Sequence, residues 1–180
     1  MNLETDILIE IVSILAVAIS SVFALIQWHG SSRVKRAEMV KTLLDAIRSE
    51  PDIREAWYFL EYNENNDWYD ERFHGGELEQ KMDYLLSHMN YICYLIENGI
   101  LTRKEAELFQ YQIRSVSTNR GLQCYFFNIY HYAHWRKTDC SFEVLLNYSD
   151  KMGYLPKGFF NKDCGEYLVC SFNESHMRHR

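Results

Sequence analysis

Two histidines stand one helical turn apart in Tyr130-His131-Tyr132-Ala133-His134-Trp135. Imidazoles at i and i+3 on a helix could supply half of a metal site. The segment has no HExxH pattern and no obvious carboxylate partner, so a ring-rich interface or core edge fits it better. Cys164, Cys170, His176 and His179 form a second candidate, spaced C-x5-C-x5-H-x2-H. Structural zinc sites prefer two to four residues between the cysteines, and this spacing misses that range. Cys93 lies on a strongly apolar segment, and Cys124 and Cys140 lack a flanking catalytic histidine pattern, so a cysteine nucleophile has no support. There is no P-loop, dinucleotide-binding glycine fingerprint, GxSxG or kinase motif. No cofactor is therefore expected.

A helical ribonuclease class needs its own test. HEPN-type domains are antiparallel helical bundles that cleave RNA with an Arg-x4-6-His motif contributed by two subunits. Its arginine stabilises charge and its histidine moves protons. No arginine here precedes a histidine at that spacing. The nearest pattern runs from Arg114 to Asn119, with asparagine where the histidine would stand, and Arg120 follows it. An amide cannot act as a general acid or base, so the expectation is no enzymatic activity. Arg114 and Arg120 also read simply as charges near a helix C-terminus.

The elements that must carry these residues are helical. The chain has 180 residues with 2 prolines and 8 glycines, which argues against a turn-rich sandwich or barrel. Apolar residues make up 47%, enough for a core. The net charge of −6 argues against a whole-chain electrostatic footprint for nucleic acid, though not against a local basic patch. Five unevenly spaced cysteines do not make a disulfide scaffold, and five unpaired thiols fit a reducing cytosol.

Ile7 to Ile26 is an apolar run with one charge, Glu10, in its first turn. At about 1.5 Å per residue, a helix of this length spans a bilayer core of about 30 Å. The acidic start, MNLETD, argues against a signal peptide. A soluble core helix this apolar would need covering on every side. The expectation is one transmembrane helix over 1–28. Arg33, Lys35 and Arg36 follow the run and Trp28 lies at its edge, so the N-terminus should face out, with the rest in the cytoplasm. Ala16, Ser20 and Ala24 repeat at four-residue spacing, with Ser13 and Ser21 nearby. Small residues so spaced let helix backbones approach closely in lipid, or are ordinary span composition. Glu10 either reaches the outer headgroups or rings the mouth of an oligomeric pore.

A cytosolic helical bundle is expected over 29–155, with a tail over 156–180. Val34, Ala37, Val40, Leu44 and Ile47 form one apolar stripe that could continue directly from the span. Ser49 reads as the N-cap of a new helix at Pro51, with Ile53, Ala56, Trp57 and Leu60 inward. Residues 61–77 read as an acidic loop in which Trp68, Tyr69 and Phe73 could tuck back onto the domain. A strong stripe, Leu78, Met82, Leu85, Met89, Ile92 and Ile96, predicts a helix over 78–98 ended by Asn98-Gly99. Thr102 to Glu105 has the capping-box pattern, and Ala106, Phe109, Ile113 and Val116 follow as its inward face. Further helices are expected over about 120–137 and 141–152, the last with Phe142, Leu145, Leu146 and Met152 inward. Residues 167–172 could form a short strand.

The stretch 89–106, MNYICYLIENGILTRKEA, resembles the central motif of an uncharacterised bacterial family of single-span helical proteins. The layout of span, basic turn and bundle also resembles the small membrane accessory proteins of type VI CRISPR systems, which have a degenerate HEPN-like bundle. That resemblance implies an all-α, HEPN-like fold and a homo-oligomer forming a pore in the bacterial inner membrane. It further implies antiviral defence activated by an RNA-guided nuclease. It carries over no catalytic residue. The alternatives are an RNA-binding or RNA-cleaving protein of degenerate HEPN type, resting on Arg114, Asn119 and Arg120, and a passive scaffold for a cytosolic partner.

Overall fold

The computed structural model describes residues 3–63 and 73–161. Every regular element among them is helical: α1 (Leu3–Ser49), α2 (Pro51–Tyr62), α3 (Glu77–Glu97), α4 (Arg103–Ala106), α5 (Gln110–Thr118), α6 (Arg120–Arg136) and α7 (Glu143–Lys151). A 3-10 turn over Glu107–Phe109 joins α4 to α5. The chain divides into two compact units, Met1–Thr42 and Leu43–Arg180.

Helix α1 makes up the first unit and ends at Ser49, in the second; it runs unbroken past the apolar stretch and through the basic residues beyond it, because neither proline nor a capping signal interrupts it before Pro51. The expected stripe beyond the span needs correction. Val34 and Ala37 are exposed, whereas Val40, Leu43 and Ile47 are buried, a set at i, i+3 and i+7. Ser49 is also not the N-cap of α2. It is the last residue of α1, and Glu50 takes the cap position with no side-chain bond. Pro51 at the first helical position explains the start, since its fixed φ suits that turn and its missing N–H costs nothing there.

In the second unit, α3 packs against α2, α5 and α7. Met82, Leu85, Leu86, Met89, Ile92 and Cys93 are fully buried, a band wider than the stripe read from the sequence because neighbours cover α3 on more than one side. Its end is a Schellman motif: Ile100 N–H donates to Leu95 O (3.0 Å) and Gly99 N–H to Ile96 O (3.0 Å). Gly99 takes φ +66°, where a Cβ would be strained. The Thr102 capping box forms as expected, with Thr102 N–H donating to Glu105 Oε2 (2.7 Å) and Glu105 N–H to Thr102 Oγ1 (3.4 Å).

Phe109, Ile113 and Val116 point inward, as do Phe142, Leu145 and Leu146, but Met152 is exposed, beyond the last turn of α7. Phe73 tucks back, its ring edge-on to Tyr125 at 5.1 Å and 84°. Trp68, Tyr69 and the candidate strand at 167–172 lie outside the described residues.

Candidate functional site

Along the apolar part of α1, every described side chain from Val12 to His29 is exposed. Nine large apolar side chains, from Val12 to Ile26, keep 56–67% of their surface bare. At about 1.5–3 kcal/mol for each such side chain moved fully out of water, covering them is worth on the order of 10 kcal/mol. That equals the whole net stability of a typical domain, ~5–15 kcal/mol. The helix is long and apolar enough to cross a membrane.

Two serines of this stretch bond to its own backbone. Ser20 Oγ donates to Ala16 O (2.8 Å), and Ser21 Oγ to Val17 O (2.8 Å). Such bonds to the i−4 carbonyl let a serine enter hydrocarbon without a partner. The small residues Ser13, Ala16, Ser20 and Ala24 are all exposed, as is Glu10. Trp28 is exposed too, and beyond it so are Arg33 and Lys35, while Arg36 is half-buried.

The residues considered for RNA chemistry have separate surroundings. Arg114 is exposed on α5. Asn119 is the N-cap of α6, its Oδ1 accepting from Leu122 N–H at 3.1 Å. Arg120 is exposed in the first turn of α6. A capping side chain is what this backbone position demands, and asparagine serves that demand well. Arg120 therefore stands at a helix N-terminus, not at the C-terminus where its charge would complement the dipole.

His131 is buried, its ring 4.2 Å from that of Phe127 and 5.2 Å from that of Tyr130. His134 is exposed and its ring also lies near that of Tyr130, with centroids 4.3 Å apart and Nδ1 3.3 Å from Tyr130 O. The pair is thus set in a ring cluster. Among the described residues, no group of three or more His, Cys, Asp or Glu is placed to hold a metal ion. Cys164, Cys170, His176 and His179 lie outside the described residues.

The cysteines need one correction. Cys93 and Cys140 are free and buried, but Cys124 is disulfide-bonded. Burial pushes the Cys93 thiol up to about 12, with Glu97 adding to the effect, so it stays protonated and unreactive at neutral pH.

One cluster escaped the sequence reading. Tyr125, buried on α6, donates its hydroxyl proton to Asp83 Oδ1 at 2.6 Å and lies 3.3 Å from Glu79 Oε1. Burial, then Asp83, then Glu79 hold that phenol far above its ordinary range, so it remains a neutral donor. Glu79 is itself buried and accepts the Gly75 N–H at 2.6 Å, while His74 Nδ1 stands 3.5 Å away. The arrangement ties the end of the loop to α3 and α6. Glu79 and Asp83 at i and i+4 look in sequence like an ordinary solvated helix face, so nothing in their spacing signals burial.

The chain matches no protein-family model, no curated protein and no solved structure.

Proposed function

We propose that the chain is a single-pass protein of the bacterial inner membrane, with α1 as its span, the N-terminus outside and the helical unit in the cytoplasm. In this reading copies associate through the spans and form a pore or otherwise perturb the membrane. The observation that carries it is the run of bare apolar side chains on α1, which must be covered by lipid or by another copy. The small exposed positions Ala16, Ser20 and Ala24 support close helix approach, and Glu10 would then ring one mouth of the assembly. The setting, antiviral defence beside an RNA-guided nuclease, comes from the resemblance of layout alone.

Orientation rests on Arg33, Lys35 and Arg36 on one flank of the run and Glu4, Asp6 and Glu10 on the other. The Cys124 disulfide favours the opposite side, because cytosolic thiols are kept reduced. A topology reporter fused after the helical unit decides between them: activity on the cytoplasmic side supports the charge argument, and activity outside overturns it.

Native mass of the detergent-solubilised full-length protein, corrected for bound detergent, tests the assembly. A closed high-order oligomer is expected. A monomer or dimer would remove the pore. Changing Ala16, Ser20 and Ala24 together to leucine should break the assembly, and an unchanged oligomer size would sink that interface.

A second reading, a membrane-tethered scaffold, draws on one feature of α3. Tyr84, Tyr91 and Tyr94 are exposed at i, i+7 and i+10, with the last two rings stacked 6.5 Å apart. Tyrosine is enriched where proteins meet. Removing residues 1–28 would then release the chain from the membrane while partner binding persists.

A further inference from the structure

A cleft of about 280 Å³ opens between α2 and α5. Trp57, Glu61 and the buried Leu60 reach it from α2, and Tyr111, Ser115 and Thr118 from α5. The positions on α5 recur at i, i+4 and i+7, so one face of that helix forms the wall. Two contacts among the described residues hold Tyr111 in place. Its hydroxyl donates to Glu61 Oε1 at 3.0 Å, and its ring stands edge-on to Trp57 at 5.9 Å and 70°. An exposed tyrosine fixed at both ends is a preorganised surface.

Among the described residues that line this cleft, Glu61 is the one charged side chain. Among the described residues no ion pair engages Glu61, and no lysine or arginine side chain lines the space. The last turn of α2, which carries Glu61, has no basic residue, so its carbonyl end adds to the negative potential. The C-terminus of α5 and the N-terminus of α6 meet at Asn119, and their dipoles offset each other. Aromatic faces carry negative charge density and attract cations held over them. An anion in the cleft would face the Glu61 carboxylate. A bare divalent ion would find one carboxylate and too few hard oxygen ligands. The Thr118 hydroxyl is committed to Arg114 O at 2.8 Å, which leaves Ser115 as the uncommitted hydroxyl for a ligand N–H.

We propose that this cleft binds a small organic cation, an ammonium or guanidinium group on a short hydrocarbon body, with its charge against Glu61 and its body on the Trp57 and Tyr111 rings. One partly exposed charge pair and one or two cation–π contacts correspond to weak binding, with a dissociation constant on the order of 1 mM or somewhat tighter. The inference stands apart from the membrane reading, since every residue it uses lies in the second unit.

The test titrates the full-length protein in neutral detergent with tetramethylammonium, putrescine and guanidinium chlorides at constant ionic strength. Tryptophan emission is the readout. At least one probe should give a saturable change that sodium does not give, and Trp57→Phe should abolish it. Glu61→Gln keeps the hydrogen bond from Tyr111 but removes the charge, and should weaken binding about tenfold with an unchanged circular-dichroism spectrum. Tyr111→Ala should weaken it several-fold. Should Trp57→Phe fail to fold, saturation-transfer NMR of the same probes on wild type and Glu61→Gln replaces it. No saturable response to any of the three probes, an equal response to sodium, or equal affinity in Glu61→Gln would overturn the proposal.

Discussion

Single side chains show where local backbone demands and residue choice disagree. The C-terminus of α6 is a Schellman motif, with Thr138 N–H donating to Ala133 O (2.9 Å) and Lys137 N–H to His134 O (3.2 Å). Lys137 occupies the left-handed position at φ 57°, which glycine fills without strain. Lys137→Gly should therefore stabilise the fold by about 0.5–1 kcal/mol in urea unfolding. His88 supplies a pH dependence. Burial holds its imidazole below the ordinary histidine range, and the hydrogen bond to Leu43 O at 3.0 Å opposes that shift less strongly. The unfolded chain then takes up a proton before the folded one does. The contribution is fully present above about pH 6.5 and falls as pH drops from there toward the lowered folded value, by at most about 1.4 kcal/mol per pH unit. Unfolding free energies at pH 7.5 and 5.5 should differ less in His88→Gln than in wild type. Equal differences would remove His88 as the source.

Among the elements, α7 depends most clearly on a neighbour. Its own N-cap is Phe142, which offers no side-chain acceptor. Asn90 from α3 supplies one instead, Oδ1 accepting the Leu145 N–H at 2.9 Å. The same helix is held further along its length by Ser149 donating to Ser117 Oγ at 2.7 Å, since the Ser117 proton is already given to Ile113 O. Asn90→Ala should cost about 1–2 kcal/mol, a value between a lost cap and a buried N–H left unpaired, and denaturant unfolding measures it. The boundaries of α3 and α4 were legible in advance, because Asn98-Gly99 and Thr102 to Glu105 act within one turn of their own backbone. The start of α7 was not, because its cap comes from 55 residues away.

For the whole molecule, the two units pose opposite problems. The second unit, Leu43–Arg180, holds nearly all the described buried side chains, and in the first unit the large apolar side chains from Val12 to Ile26 are bare. Deleting residues 1–28 removes that bare surface while leaving the buried set of α3, α5, α6 and α7 in the chain. The shortened protein should move from the membrane fraction to the soluble fraction and keep the helical circular-dichroism signal of the second unit. Loss of that signal would mean that the two units do not fold separately. Thiol counting belongs to this scale as well. Under denaturing, non-reducing conditions Cys93 and Cys140 should react with maleimide, whereas Cys124 should react only after reduction.

Helical class, the apolar span and the capped turns near residues 98–105 follow from residue order, because each depends on interactions within a few positions of chain. So does the absence of an Arg-x4-6-His pair. Tertiary structure decided which of several equivalent faces is covered. It buried Glu79 beside Tyr125 and turned Val34 and Ala37 outward. It lent Asn90 to α7. It also brought Trp57 and Glu61 to Tyr111 across fifty positions of chain. The physical reason is that periodicity sets the spacing along a helix, while burial and pairing depend on what packs against it, and the partners of these residues are distant in sequence.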